Sequence, residues 1–278
     1  MTSTHPRRAP DGSFVFPDFP EFKPNRSPEE VLRAGSFGGT YFRPIKSAVC
    51  PGVKFGEEVW KELPSSWIDG LDPETQICSS IYRPAVNKYK VKSGASLEEW
   101  EQSGWIKPQD PYGWFQWYCR FFQGRRTEDD PRQVSRWVAC AGEHSGRWRN
   151  RLCNVVFQMR TTFDDPSASP VIRQTLLHWG YELTREHYMK WGAKQGAEVE
   201  SPVPVPPRNA LSKIAPSSLV EQPSRQKRVA RKAHSVPLAQ DEFLSLGEGK
   251  PDSDDEDRPS RKRVSKSSAS SRKKPDPR

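Results

Sequence analysis

The 278-residue chain carries 44 Lys and Arg against 35 Asp and Glu, a net charge of +9 with pI near 9.3, and only 33% hydrophobic residues. That apolar share is too low for one globule filling the chain, where about 45–50% is usual with glycine counted. The basic balance favours polyanionic partners such as DNA or RNA over acidic-surface avoidance.

The composition is sharply partitioned. All ten tryptophans lie between Trp60 and Trp191, and neither Trp nor Tyr follows Trp191. A folded domain is therefore predicted over 27–193, long enough to bury about two-thirds of its unfolded surface. Residues 196–278 hold 17 Lys/Arg against 12 Asp/Glu, and the rest of the chain 27 against 23, so both parts are basic. No window approaches the roughly eighteen apolar residues of a membrane span. The start "MTSTHPRRAPDGSFVF" lacks the apolar run of a signal peptide, so a soluble, intracellular chain without a membrane partner is expected. The five cysteines, Cys50, Cys78, Cys119, Cys140 and Cys153, are odd in number and scattered, as for reduced thiols. Cys140, His144 and Cys153 offer zinc three ligands where four are needed, so no metal or other cofactor is expected.

In chain order, residues 1–26 read as a Pro/Phe-rich extended arm whose Phe14, Phe16, Phe19 and Phe22 lie against the body. Ser27, Pro28 and Glu30 form a capping box for a helix that Gly35 stops. "SFGGTYFRPIKSAVC" predicts a turn leading into a short strand or extended loop, with β-leaning Thr40, Tyr41 and Phe42. Residues 57–95 read as irregular, with a short strand near "KYKVK". Ser96 and Glu99 cap a short helix presenting Leu97 and Trp100. Asp110-Pro111 is read as opening the next helix, whose Trp114, Trp117, Tyr118, Phe121 and Phe122 follow helical spacing until Gly124. Asp130-Pro131 opens another, with Val134, Trp137, Val138 and Ala141 ending at Gly142. Trp148, Leu152, Val155, Val156 and Met159 mark a third. Ser169-Pro170 is read as opening a longer one to about Lys190, with Ile172, Leu176, Trp179 and Leu183 on one face. The expected fold is mostly α: a compact multi-helix domain with short extended or strand segments near its N-terminus. A disordered Pro/Ser-rich and basic tail, 194–278, is expected to follow.

Six of the nine residues from Trp114 to Phe122 are aromatic. An apolar arc this wide belongs to a nearly surrounded helix rather than to an open base-stacking platform. The arginines around it are the stronger functional signal. Arg120, Arg125, Arg126, Arg132, Arg136, Arg147, Arg149 and Arg151 fall within 32 residues that contain one His and no Lys. Arginine suits bidentate contacts to phosphate or carboxylate. The cluster reads either as a phosphate- or nucleic-acid-binding face, with Arg132 and Arg136 projecting outward, or as internal pairs with Glu128, Asp129, Asp130 and Glu143.

Enzymatic alternatives rest on less. Asp129-Asp130 and Asp164-Asp165 are carboxylate pairs of the kind that hold a divalent cation, but they sit where helix caps belong. His178 and Glu182, with Arg185 beside them, stand four apart as a surface pair or an acid–base pair. No P-loop, nucleophile elbow or HExxH pattern is present.

In the tail, Arg225, Lys227, Arg228, Arg231 and Lys232 form a nuclear-import candidate, as do Arg261, Lys262, Arg263 and Arg272, Lys273, Lys274. Ser253, followed by Asp254, Asp255, Glu256 and Asp257, fits an acid-directed kinase; its phosphorylation would oppose the basic clusters. "DEFLSL" reads as a short docking segment. An import receptor and a docking partner are thus expected beside the polyanion, with nuclear rather than cytoplasmic residence.

Together "GGTYFRPI", "NKYKVKSG", "DPYGWFQWYCRFFQGRR", "DDPRQVSRW" and "SPVIRQTLLHWGYEL" resemble a family of uncharacterised proteins from fungi, oomycetes, algae and some large viruses. The resemblance covers about 37–192 and omits the tail. It brings no assigned activity or catalytic residue. The leading expectation is a nuclear nucleic-acid- or chromatin-associated protein with an Arg-rich helical face and a basic tail. The alternatives are an enzyme acting on a phosphorylated or acidic substrate beside the same arginines, and a scaffold that docks partners through its tail.

Overall fold

The computed structural model describes residues 6–56 and 58–196. The import candidates, Ser253 and "DEFLSL" lie outside the described residues.

Helices dominate. Two strands, β1 (Arg7–Arg8) and β2 (Phe14–Val15), form an antiparallel hairpin, and β3 (Ile45–Lys46) and β4 (Lys54–Phe55) form a second. Between and after them run α1 (Pro28–Ala34), α2 (Ser65–Ile68), α3 (Pro73–Gln76) and α4 (Leu97–Gln102). The larger helices follow: α5 (Trp114–Phe122), α6 (Asp130–Ala141), α7 (Arg147–Met159), α8 (Pro170–His178) and α9 (Arg185–Gln195). Both capping boxes form, Ser27 with Glu30 and Ser96 with Glu99, each satisfying two backbone donors that the first helical turn leaves open.

Helix α5 is the axis of the core. Trp117, Tyr118, Cys119 and Phe121 are wholly buried, and Phe115 nearly so. Gln116 is buried as well: its Oε1 accepts from the Tyr112 backbone N–H at 3.0 Å, just before the helix begins. The phenylalanines of the arm are core residues. Phe22 is wholly buried among the rings of Trp114, Trp117, Tyr118, Phe121 and Trp137, with centroids 5.2–6.4 Å away. Phe16 stacks on Phe22 at 5.1 Å and packs against Phe121 at 5.0 Å.

Four sequence expectations give way. Asp110-Pro111 does not open α5. The Asp110 carbonyl closes a turn by accepting from the Gly113 N–H at 2.8 Å, and the helix begins after Gly113, whose φ of 85° suits glycine. No strand forms at "KYKVK", which instead turns around the Asn87 side chain. Its Nδ2 donates to the Val91 carbonyl and the Tyr82 hydroxyl, and its Oδ1 accepts from Gly38 N–H. Within "SFGGTYFRPIKSAVC" a turn and a short strand both form, but the β-leaning Tyr41 and Phe42 are in the turn and the strand is Ile45–Lys46. The long helix after Pro170 is two helices, broken at Gly180 with φ 64°. There the Gly180 carbonyl accepts from the N–H groups of Asn25 and Arg26, and Tyr118 packs so closely that a Cβ would meet its ring at 2.9 Å. No helix among the described residues is long and apolar enough to cross a membrane.

Candidate nucleic-acid interface

Most of the arginine cluster is structural. Asp110, 1% exposed, accepts from Arg120 Nη1 at 2.9 Å through one oxygen and from Arg125 Nη2 at 2.6 Å through the other. Arg120 also forms a two-pronged pair with Glu62, at 2.9 and 2.8 Å. Burial works against the charge on Arg120, but the Glu62 and Asp110 carboxylates outweigh it and raise its pKa. Arg126 pairs with Asp18 at 2.5 Å and lies 3.8 Å over the Phe121 ring. The arginines of "DPYGWFQWYCRFFQGRR" thus tie the C-terminal end of α5 to the turn before it and to the N-terminal arm.

Arg132 and Arg136 do not project into open solvent as expected. Arg132 grips Asp129 in a bidentate pair, at 2.6 and 2.8 Å. Arg136 donates to Gln133 Oε1 and lies between the Trp105 and Trp179 rings, 5.4 and 5.5 Å from their centroids. Arg149, 5% exposed, is buried against the Tyr181 ring.

The carboxylate and histidine candidates are also occupied. Asp130, 1% exposed, accepts from Trp117 Nε1 and from the backbone and hydroxyl of Thr127, while Asp129 holds Arg132 and Gln133 rather than capping α6. Asp165 is pinned by Thr161 and Ser167, and its hydrogen bonds lower its pKa; the N-cap position of α8 is Ser169, not an aspartate. His178 and Glu182 serve separate networks. His178 is buried, and its Nε2 accepts from the Phe37 N–H at 2.9 Å. Gln174 Nε2, which also donates to Gly35, stands 3.0 Å from the same nitrogen. Both donors favour a neutral ring with its proton on Nδ1, and burial drives its pKa down to about 3. Glu182 pairs with Arg26 at 2.6 Å and with Lys88; burial opposes its charge, yet these cations hold its pKa below the usual range. Among the described residues no three His, Cys, Asp or Glu side chains are grouped as metal ligands. A hollow at Ser65–Leu71 on α2 is shallow and open, and none of these candidates lines it.

Three of the eight arginines are exposed: Arg126, which Asp18 holds, and Arg147 and Arg151, both on α7. The inner face of α7 buries Arg149, Leu152, Cys153 and Val156. Arg147, Arg151, Asn154 and Gln158 are exposed. At about 100° per residue these four fall within about 60° of the helix circumference, along about 16 Å of its axis. Arg147 lies 5.5 Å over the Trp148 ring, and Asn154 Nδ2 donates to the Asn150 carbonyl at 2.9 Å. Arg151 is exposed and makes no ion pair among the described residues. From His144 to Phe163 there is no Asp, Glu or Lys. Arg160, in the left-handed region with φ 51°, is exposed just past the helix end. Reading the cluster by density missed Asn154 and Gln158. The spacing i, i+4, i+7, i+11 in a carboxylate-free helix was the signal that could have found them.

Comparison with known proteins matched no family model, no curated protein and no solved structure.

Proposed function

We propose that this protein binds nucleic acid through the outer stripe of α7, with the basic tail adding salt-dependent attraction, and that it acts in the nucleus on nucleic acid or chromatin. The observation that carries this reading is the contrast within the arginine cluster. Arg120, Arg125, Arg126 and Arg132 are neutralised by carboxylates, and Arg136 and Arg149 are packed on rings. Arg151 instead stands exposed on α7 beside the exposed amide side chains of Asn154 and Gln158 and makes no ion pair among the described residues. A polyanion can approach such a face without displacing a protein carboxylate, and each phosphate neutralised releases a condensed counterion.

The test is fluorescence anisotropy of the full chain with duplex DNA, single-stranded DNA and RNA across a salt series. Substituting Arg147→Ala with Arg151→Ala is expected to flatten the plot of log K against log salt by about 2 for duplex DNA. Arg132→Ala, whose side chain is held by Asp129, is expected to leave that slope unchanged. If the α7 double variant binds like the parent at every salt concentration, the reading is wrong. Import is tested separately by tagging residues 222–278, and cytoplasmic signal would refute nuclear entry through the tail.

A further inference from the structure

We infer that α7 is a reading helix for duplex DNA: it enters the major groove and discriminates base pairs through Arg151, Asn154 and Gln158. The inference rests on the nucleic-acid reading above and narrows it to one substrate class and one mode of contact.

The chemistry of the stripe supports this narrowing. A face that only attracts phosphates needs point charge, which lysine supplies, and α7 has no lysine. Its exposed stripe combines arginine with asparagine and glutamine. These are the side chains whose paired donors and acceptors match base edges: arginine to guanine O6 and N7, asparagine or glutamine to adenine N6 and N7. Asn154 Nδ2 donates to the Asn150 carbonyl when unliganded, and it would exchange that local bond for the adenine edge. Phe157, 42% exposed at the edge of the same face, offers an apolar surface of the kind that meets a thymine methyl.

Shape agrees with chemistry. The major groove is about 12 Å wide and admits one α-helix, whose diameter with side chains is about 10–12 Å. Helix α7 has thirteen residues and is backed on its inner side by α6, α8 and α9. It follows α6 after the short turn Gly142–Gly146, and its inward Leu152, Cys153 and Val156 are buried, which fixes the rotation of the outer stripe. Reading single-stranded RNA calls for aromatic faces on which splayed bases stack. The rings of α5 lie in or against the core, Trp148 on α7 is only partly exposed, and the one exposed ring of α7, Phe157, is engaged edge-on by Trp191 at 6.0 Å.

The test is selection of the full chain on a randomised duplex DNA pool, with matched single-stranded DNA and RNA pools. The expected result is an enriched duplex motif, and a motif that loses information at one position when selection is repeated with Asn154→Ala and at another with Gln158→Ala. Both positions are exposed, so these variants are expected to fold like the parent, which circular dichroism would check. Salt-dependent duplex binding with no enriched motif would overturn the inference and leave the proposed function standing. Preferential enrichment of single-stranded RNA or DNA would do the same. A motif unchanged by either substitution would also overturn it. Absence of binding to any pool at low salt would remove both readings.

Discussion

Asp110 shows how one residue can make a run of arginines structural. A buried carboxylate facing two guanidinium groups, with a third charge from Glu62 beyond, is stable only while all partners are present. Removing the anion strands the partly buried Arg125, leaves Arg120 with Glu62 alone, and frees the turn that precedes α5. Asp110→Ala is therefore expected to lower the unfolding free energy by about 3–5 kcal/mol, measured by urea titration. A double-mutant cycle with Arg125→Ala should return a coupling of about 1 kcal/mol or more; additivity would show that the pair contributes only through its individual burial. The two buried histidines make a second prediction at this scale. Burial lowers His178 to about 3 and, with the nearby Arg149 charge, His187 to about 4. Between these values and the unfolded value of about 6.5 the unfolded chain takes up protons that the folded chain refuses. Stability is thus full above about pH 6.5 and falls as the pH drops, by up to about 1.4 kcal/mol per pH unit for each histidine. Urea unfolding at pH 7 and pH 5 checks this, and His178→Gln should shrink the difference by about half.

At the scale of elements, legibility depended on how far away the deciding partner lay. The capping boxes of α1 and α4 were legible because Ser27 and Ser96 bond to a residue three positions on. The start of α6 at Asp130-Pro131 and its end at Gly142 were legible for the same local reason. The break between α8 and α9 was not, because it is imposed by Tyr118 and by the backbone of Asn25 and Arg26, more than sixty and more than 150 residues away. The fate of the arginines was equally hidden: Asp18, Glu62 and Asp110 belong to segments whose placement helical periodicity does not predict. The stripe on α7 could be read in part, since Arg147 and Arg151 stand four apart, but density alone grouped them with their buried neighbours. Gly180 gives the element-scale prediction. Gly180→Ala puts a Cβ into positive φ, 2.9 Å from the Tyr118 ring and 3.0 Å from the Arg26 carbonyl, and should cost more than about 1 kcal/mol. Thermal unfolding would measure it; an unchanged Tm would mean that the α8–α9 connection can relax.

For the whole molecule, the arrangement joins opposite ends of the described chain. Asn25 exchanges side-chain hydrogen bonds with the backbone of Glu182 at both its oxygen and nitrogen, and Arg26 pairs with the Glu182 side chain. The phenylalanines that precede them fill the space beside α5. This has a consequence in time. On the ribosome, at about 5–20 residues per second, Phe16 and Phe22 are made on the order of ten seconds before the segment around Gly180 and Glu182 that closes over Asn25 and Arg26. Until then Asn25 and Arg26 lack the partners that anchor the arm, although α5 has already emerged to receive its phenylalanines.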